Sequence, residues 1–572
     1  MKQLFILTAL LLAPLLGIAG PVLAENAARP IAEPVLEPAT LHCLGIYWRV
    51  AGDDNQNTRI EVHYKKTGTS SWRRGPDLFR IEKGAGKMAV PAEVALFAGS
   101  IVMLEPDTGY DVKLNLTDQD GGATQTILRA PTMAEPQAPK NMRVLHVVPG
   151  TGGGTGTTTD PFKGLGVAQA LAKPGDLFLV HAGVYAGTFE VGKNGEPGRP
   201  IIWRGAGDGE AVIDGQGHER VVAASDTHDV WFERLTIQNA KWGLVAHAAP
   251  RMVVRRCHIH HVLSGITATR NTGARLGGLF IADNTLEGSH SWSEPLHGAA
   301  VEEHRGIEIS GTGNVVCYNR VRGFKDGIDM YPTVPCVASD VHNNEVSECL
   351  DDGCEMDGAE RNCRCYLNRY TNIFQGISVQ PVYGGPIYIF RNALYNLEGE
   401  TFKMHNSPSG AIFYHNTSVK RGVPLILSTQ ETVHNCVLRN NLFLGSGEGK
   451  YAYEASPPMQ NCDFDFDGFS GGPWKMFLKW NNVRYASLAE VKAKAPVEKH
   501  AVLVEPTGNL QLPRDVARQH ALVDLRLPAG SAAIDAGAVL SGFNDGFAGQ
   551  APDLGAYEFG TELPHYGPRP DR

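Results

Sequence analysis

Through the middle of the chain a short unit recurs, of the form x-Gly-apolar-x-apolar-x. It reads WGLVAH (Trp242–His247), SGITAT (Ser264–Thr269), RGIEIS (Arg305–Ser310), DGIDMY (Asp326–Tyr331), DGCEMD (Asp352–Asp357), QGISVQ (Gln375–Gln380) and, without its glycine, ETFKMH (Glu400–His405). Successive side chains of a strand point to opposite faces. Ile328 and Met330, Cys354 and Met356, Ile377 and Val379, and Phe402 and Met404 are therefore expected to point inward. Six asparagines, Asn319, Asn344, Asn368, Asn392, Asn416 and Asn441, recur every 24 or 25 residues, each ending a short apolar stretch. A fixed period of this length predicts stacked coils of an all-β solenoid. The asparagines are its expected internal turn ladder, with side-chain amides bonding backbone and one another.

Before the repeats the pattern differs. LHCLGIYWRV, RIEVHYKK, SIVMLE, YDVKLNLTD and TQTILRAPT alternate apolar and polar residues, with polar turns between them. This predicts a small antiparallel β-sandwich over residues 33–133. Trp48 and the run LEPDTGYDVKLNLTD, with Tyr110 as corner tyrosine, resemble a fibronectin type III domain. That resemblance implies a spacer or binding module; no catalytic set is visible there. Residues 134–140 read as a linker. The glycine-rich stretch that follows lacks the Gly-Lys-Ser/Thr of a phosphate loop. It reads instead as strand, long turn, short helix (Leu165–Ala172) and strand, a cap over the first open coil. DPFKGLGVAQALAKPGD with FLVHAGVY resembles the entry of secreted right-handed parallel β-helix proteins, the pectate-lyase-like superfamily. LRLPAGSAAIDAG and APDLGAYEFG resemble their closing segments. The resemblance implies a right-handed parallel β-helix over 141–560 and an activity on polysaccharides.

At 572 residues the chain exceeds one ordinary core. Its net charge of −9 argues against a nucleic-acid partner. Lys2, the apolar run LFILTALLLAPLLGIAG and the small residues before Glu25 read as a signal peptide, residues 1–24. A secreted or periplasmic location is expected, with no membrane span after the signal is removed. Ten cysteines in an exported chain permit disulfides. Cys363 and Cys365 alternate inward with apolar neighbours, which equally suits buried thiols.

Chemistry enters with the outward positions of the repeat. Glu308, Asp329 and Glu355 are expected directly above one another, about 4.8 Å apart, with Asp357 one step along the strand. Lys403 and His405 join the row two rungs on. Stacked carboxylates repel, so a cation or a shared proton must offset them. The spacing between Asn284 and Asn319 grows to 35 residues, placing a loop with Trp292 and His297 beside Glu308. Trp292 and His297 are candidate walls for a sugar ring, with Tyr383 on a neighbouring turn, and packing is the alternative role for these aromatics; Tyr331, Gln380, His405 and Arg391 are further candidate substrate contacts.

Two mechanisms fit. In β-elimination on a uronate glycan, Glu308, Asp329, Glu355 and Asp352 would hold a hard divalent cation, with Ca²⁺ expected. Lys403, or an arginine such as Arg391, would abstract the proton. Pectate-lyase-like enzymes combine acids with a basic residue in this way, and a C5-epimerase would share the chemistry. In glycoside hydrolysis, paired carboxylates would act. Asp329 and Glu355 at about 5 Å suit retention, and Asp329 and Asp357 at about 8 Å suit inversion. DDG (Asp351–Gly353) resembles the paired acids of polygalacturonases, whose Asn-Thr-Asp, Gly-His-Gly and Arg-Ile-Lys signatures are absent as a set. A third reading is a non-catalytic glycan-binding solenoid, which predicts a flat row of similar residues. The presence of Lys403 and His405 in the row favours the lyase.

Overall fold

The computed structural model describes residues 26–82, 95–269, 277–292, 304–330, 335–429, 431–447, 449–516 and 519–570. The signal-peptide reading falls on residues outside this set, as do Tyr331 and His297. The chain is all-β, 3% helical, with a parallel solenoid of about 11 turns preceded by antiparallel sheets. Two parallel sheets, of 16 and 17 strands, run along the solenoid.

The solenoid core follows from the repeat. Ile328, Met330, Cys354, Met356, Ile377, Val379, Phe402 and Met404 are all fully buried. The glycine of each unit marks a corner. A Cβ on Gly327 would lie 2.5 Å from the Gly353 carbonyl oxygen and 2.5 Å from Val346, inside the core. Two consecutive positions, Gly327 and Ile328, therefore face inward, and strict alternation breaks at each corner.

The asparagines form the expected ladder, extended by Asn284 above and by Asp467 below. Each Nδ2 donates to the next side-chain oxygen, at 2.9–3.1 Å from Asn284 through to Asp467. The second Nδ2 proton reaches a backbone carbonyl, as from Asn368 to Val341 at 2.9 Å. All of these side chains are buried. Stacking identical amides satisfies every donor and acceptor without water, which a buried turn requires.

Asp467 ends the ladder against the buried Glu498. Burial pushes Asp467 from its ordinary 3.8 up to about 7, and burial plus the Asp467 charge pushes Glu498 well up. The folded state thus keeps a proton that the unfolded chain releases near pH 4. Its contribution is complete below that value and is lost as pH rises towards 7. Urea midpoints measured from pH 5 to 8 are expected to fall, and Asp467→Asn is expected to flatten that slope. An unchanged slope in the variant contradicts this account of the ladder's end.

The N-terminal strands form two antiparallel sheets around a core containing Trp48, Ile60, Val112 and Leu114. The Tyr110 hydroxyl accepts from the Glu105 N–H at 3.0 Å, bracing the turn before its strand. This unit is fastened to the solenoid. Thr40 Oγ1 donates to Asp340 at 2.6 Å, and the fully buried Arg364 bridges Asp340 and Ser100. Glu37 meets Arg361 at 2.7 Å and Asn362 at 2.8 Å.

Helices occupy Leu165–Leu171 in the cap and Leu488–Lys494. The second is capped by Ser487 Oγ, which accepts from the Glu490 N–H, while the Glu490 side chain accepts from the Ala486 N–H just outside the helix. The run DFDFDG begins as a short strand, Asp463–Asp465. All ten cysteines are free thiols, and nine are buried. Among the described residues no helix is long and apolar enough to cross a membrane.

Candidate functional site

Parallel pairing brings the outward residues of successive coils into register. Thr267 pairs with Glu308, Glu308 with Asp329, Asp329 with Glu355, Glu355 with Ser378 and Ser378 with Lys403. The row is not an open face. Asp329 and Asp352 are fully buried, Glu308 and Asp357 are 8% exposed, and Glu355 is only partly covered.

A second row lies beside it, made by the residue before each glycine. Arg305 pairs with Asp326, and Asp352 with Gln375. Arg305 and Asp326 escaped the sequence reading although both stand in the quoted repeat. Counting back from Ile328 by alternation puts Asp326 inside, whereas the corner at Gly327 turns it outward. The column of first letters in the repeat was the available signal.

Arg305 centres the first half of the site. Its Nε lies 2.5 Å from Asp329 Oδ2, 3.8 Å from Glu308 and 3.9 Å from Glu355. Burial disfavours its charge, but Asp329, Asp326, Glu355 and Glu308 outweigh this and hold it protonated. Lys403 centres the second half, with Nζ 2.6 Å from Asp352 and 4.0 Å from Asp351. Burial again opposes the charge, and Asp352, Asp351 and Asp357 together raise the ammonium above its ordinary value. The sequence reading made Lys403 a general base. Surrounded by these carboxylates it is a cation, unsuited to abstracting a proton.

Acids outnumber cations here, so retained protons or a bound cation must offset the excess. Burial followed by the charges of Asp326, Asp329, Asp357 and Asp352 lifts Glu355 well above the carboxylate range. Burial, opposed by Arg305, leaves Asp329 near 6. Burial and then Asp352 bring Asp357 to about 8, although it accepts from Ser378 Oγ at 2.8 Å and the Gln380 N–H at 2.5 Å. Burial also raises Asp352, against the pull of Lys403 and Lys325.

The predicted cation ligands divide. Asp352 and Glu355 converge with Asp326, one oxygen from each lying within 4.8 Å of the others. Oxygens this close can share one Ca²⁺, whose Ca–O bonds are about 2.3–2.6 Å. Asp352 Oδ1 is buried with no N–H or hydroxyl donor, so the trio suits a cation as well as a proton. Glu308 and Asp329 instead face the Arg305 guanidinium, which supplies their counter-charge.

The predicted substrate contacts scatter. Gln380 touches Asp357 through its backbone, and the largely buried Tyr383 is pushed up by burial and by Asp357, which places it beside that acid. His405 lies 3.4 Å from Glu400 at the row's end. Trp292 is 1% exposed and donates to the Val516 carbonyl at 2.8 Å. Its ring is consumed by packing and offers no wall for a sugar. Arg391 belongs to the other long sheet's turn, near the Ala556 and Phe543 carbonyls and 3.9 Å from Glu558; it does not reach the row. Upstream of Arg305 and Glu308 a cleft of about 370 Å³ is lined by Trp242, Val245, His247, Ser264, Thr267 and Thr269.

No known family model matches the chain, and no curated protein does. Among solved structures, an alginate lyase from Paenibacillus sp. str. FPU-7 is 16% identical, covering 52% of this chain and 91% of its own, with a TM-score of 0.29. A family 28 exopolygalacturonase from Yersinia enterocolitica is 9% identical over 76% and 96%, with a TM-score of 0.23. The catalytic domain of a GH87 α-1,3-glucanase in complex with nigerose is 13% identical over 77% and 89%, with a TM-score of 0.27. At such identities and TM-scores none of these activities transfers to this chain.

Proposed function

We propose that the chain is an exported glycan-cleaving enzyme working by carboxylate acid–base chemistry, as a glycoside hydrolase. The observation that carries this reading is Glu355. Its side chain is 14% exposed, and burial together with the neighbouring carboxylates favours its protonated form. A carboxyl group held protonated at neutral pH is what protonation of a glycosidic oxygen requires. Lys403 and Lys325 flank Asp352 and Asp351, and the lysine charges oppose the burial that raises Asp352. Asp351, the partly exposed member of that acidic pair, is the one to polarise a water. The cleft beside Arg305 and Glu308 supplies room for sugar rings on the N-terminal side of the acids.

A second reading keeps the cation-assisted elimination first expected from the row. Its support is the convergence of Asp326, Asp352 and Glu355 oxygens, which would hold Ca²⁺ and neutralise a substrate carboxylate. It then needs a base other than Lys403.

Products from a panel of uronate and neutral glycans separate the two. Hydrolysis predicts new reducing ends without ultraviolet-absorbing unsaturated sugars, unaffected by a chelator. Unsaturated ends that vanish with chelator would replace the hydrolase reading with the lyase. Absence of cleavage on every glycan, with soluble glycans retained on affinity gels, would leave the binding solenoid.

A further inference from the structure

We infer that His146 and His181, in the cap of the solenoid, form a site for a divalent transition-metal ion such as Zn²⁺. The two rings come from adjacent rungs, His146 on the strand Arg143–Val148 and His181 just after Asp176–Val180. Their inner nitrogens, His146 Nδ1 and His181 Nε2, face each other at 2.8 Å. Two imidazole nitrogens this close are joined either by one N–H···N hydrogen bond, which fits neutral rings, or by a metal ion that replaces its proton.

The outer nitrogens are already engaged. His181 Nδ1 lies 2.7 Å from Asp208 Oδ2, and Asp208 Oδ1 accepts from the Ala182 N–H at 3.1 Å. His146 Nε2 lies 3.2 Å from Thr158 Oγ1. A carboxylate behind a histidine orients the ring and strengthens the opposite nitrogen as a ligand, the usual arrangement around bound zinc. Backbone bonds fix both positions, from the His146 N–H to the Gly156 carbonyl and from the His181 N–H to the Val147 carbonyl, each 2.9 Å.

A tetrahedral zinc with Zn–N bonds near 2.0–2.1 Å sets its nitrogens roughly 3.4 Å apart. The pair needs to open by about half an ångström, a small side-chain adjustment, and water would complete the sphere. Imidazole donors select zinc, copper or nickel over calcium or magnesium. Thr158 belongs to the glycine-rich turn, so a bound ion would tie that turn to the first two rungs. This assignment is independent of the hydrolase reading.

The test is calorimetric titration of the full chain with zinc chloride. A saturable site of micromolar affinity is expected, lost in His146→Ala and in His181→Ala and weakened roughly 10- to 100-fold in Asp208→Asn. His260→Ala, which alters the separate exposed group of His258, His260 and His261, is expected to keep it. Circular dichroism of each variant confirms folding. Unchanged binding in either of the two alanine variants, or no saturable binding to the unaltered chain, overturns the assignment.

Discussion

Glu355→Gln is expected to lower glycan cleavage by roughly 10²- to 10⁴-fold, the usual loss when a positioned acid is removed, while the protein stays folded. The reason is specific to its surroundings. Glu355 faces Asp326, Asp329, Asp352 and Asp357, and burial adds to their repulsion. The amide keeps the shape and the hydrogen-bond donor but has no proton to transfer. The same substitution removes a titrating group from a crowd of like charges, so its melting temperature should equal or exceed that of the unaltered chain. Activity and stability are therefore expected to move apart, which a general disruption of the site would not produce. Because the carboxyl holds its proton well above the usual range, the unaltered enzyme should lose activity on the alkaline side as Glu355 ionises. Full activity of the variant on every glycan that the parent cleaves would remove Glu355 from the mechanism.

Asn368→Ala is expected to destabilise the solenoid by about 3 kcal/mol or more, measured as a shift in the urea midpoint. Asn368 Oδ1 accepts from the Asn344 backbone N–H at 2.9 Å and from Asn344 Nδ2 at 3.0 Å. Its own Nδ2 serves the Val341 carbonyl at 2.9 Å and Asn392 Oδ1 at 3.1 Å. Truncation leaves the Asn344 N–H and one Asn344 Nδ2 proton without their acceptor and takes a donor from the Val341 carbonyl and from Asn392 Oδ1, in a turn that excludes water. Asn368→Asp should be worse, since it replaces the donor with an acceptor and places a charge in the same buried position. A surface-like loss below about 0.5 kcal/mol would mean that water enters the column and the ladder is dispensable.

Much of this architecture is legible in the amino-acid sequence. The Gly-apolar-x-apolar unit predicts which side chains enter the core, and Ile328, Met356, Phe402 and their companions are fully buried. It also aligns Glu308, Asp329, Glu355 and Lys403 in one row, the register of the pairing. Both follow from a local repeat, because strand alternation and a near-constant coil length need no knowledge of distant residues.

Other features depended on contacts without a period. Trp292 is covered through Val516, 224 residues away, and Arg391 is drawn to the closing segment at Ala556. Asp326 turns into the site only because the Gly327 corner sets two inward positions side by side. Lys403 is a cation because Asp352 and Asp351, from an earlier coil, stand against it. The repeat alone suffices for the solenoid, its asparagine ladder and the order of residues along the outer row. Which of those residues are buried, and which carboxyls are held above the ordinary range, depends on the folded arrangement. Burial and charge are set by the sum of neighbours in space, and at this site the neighbours come from different coils.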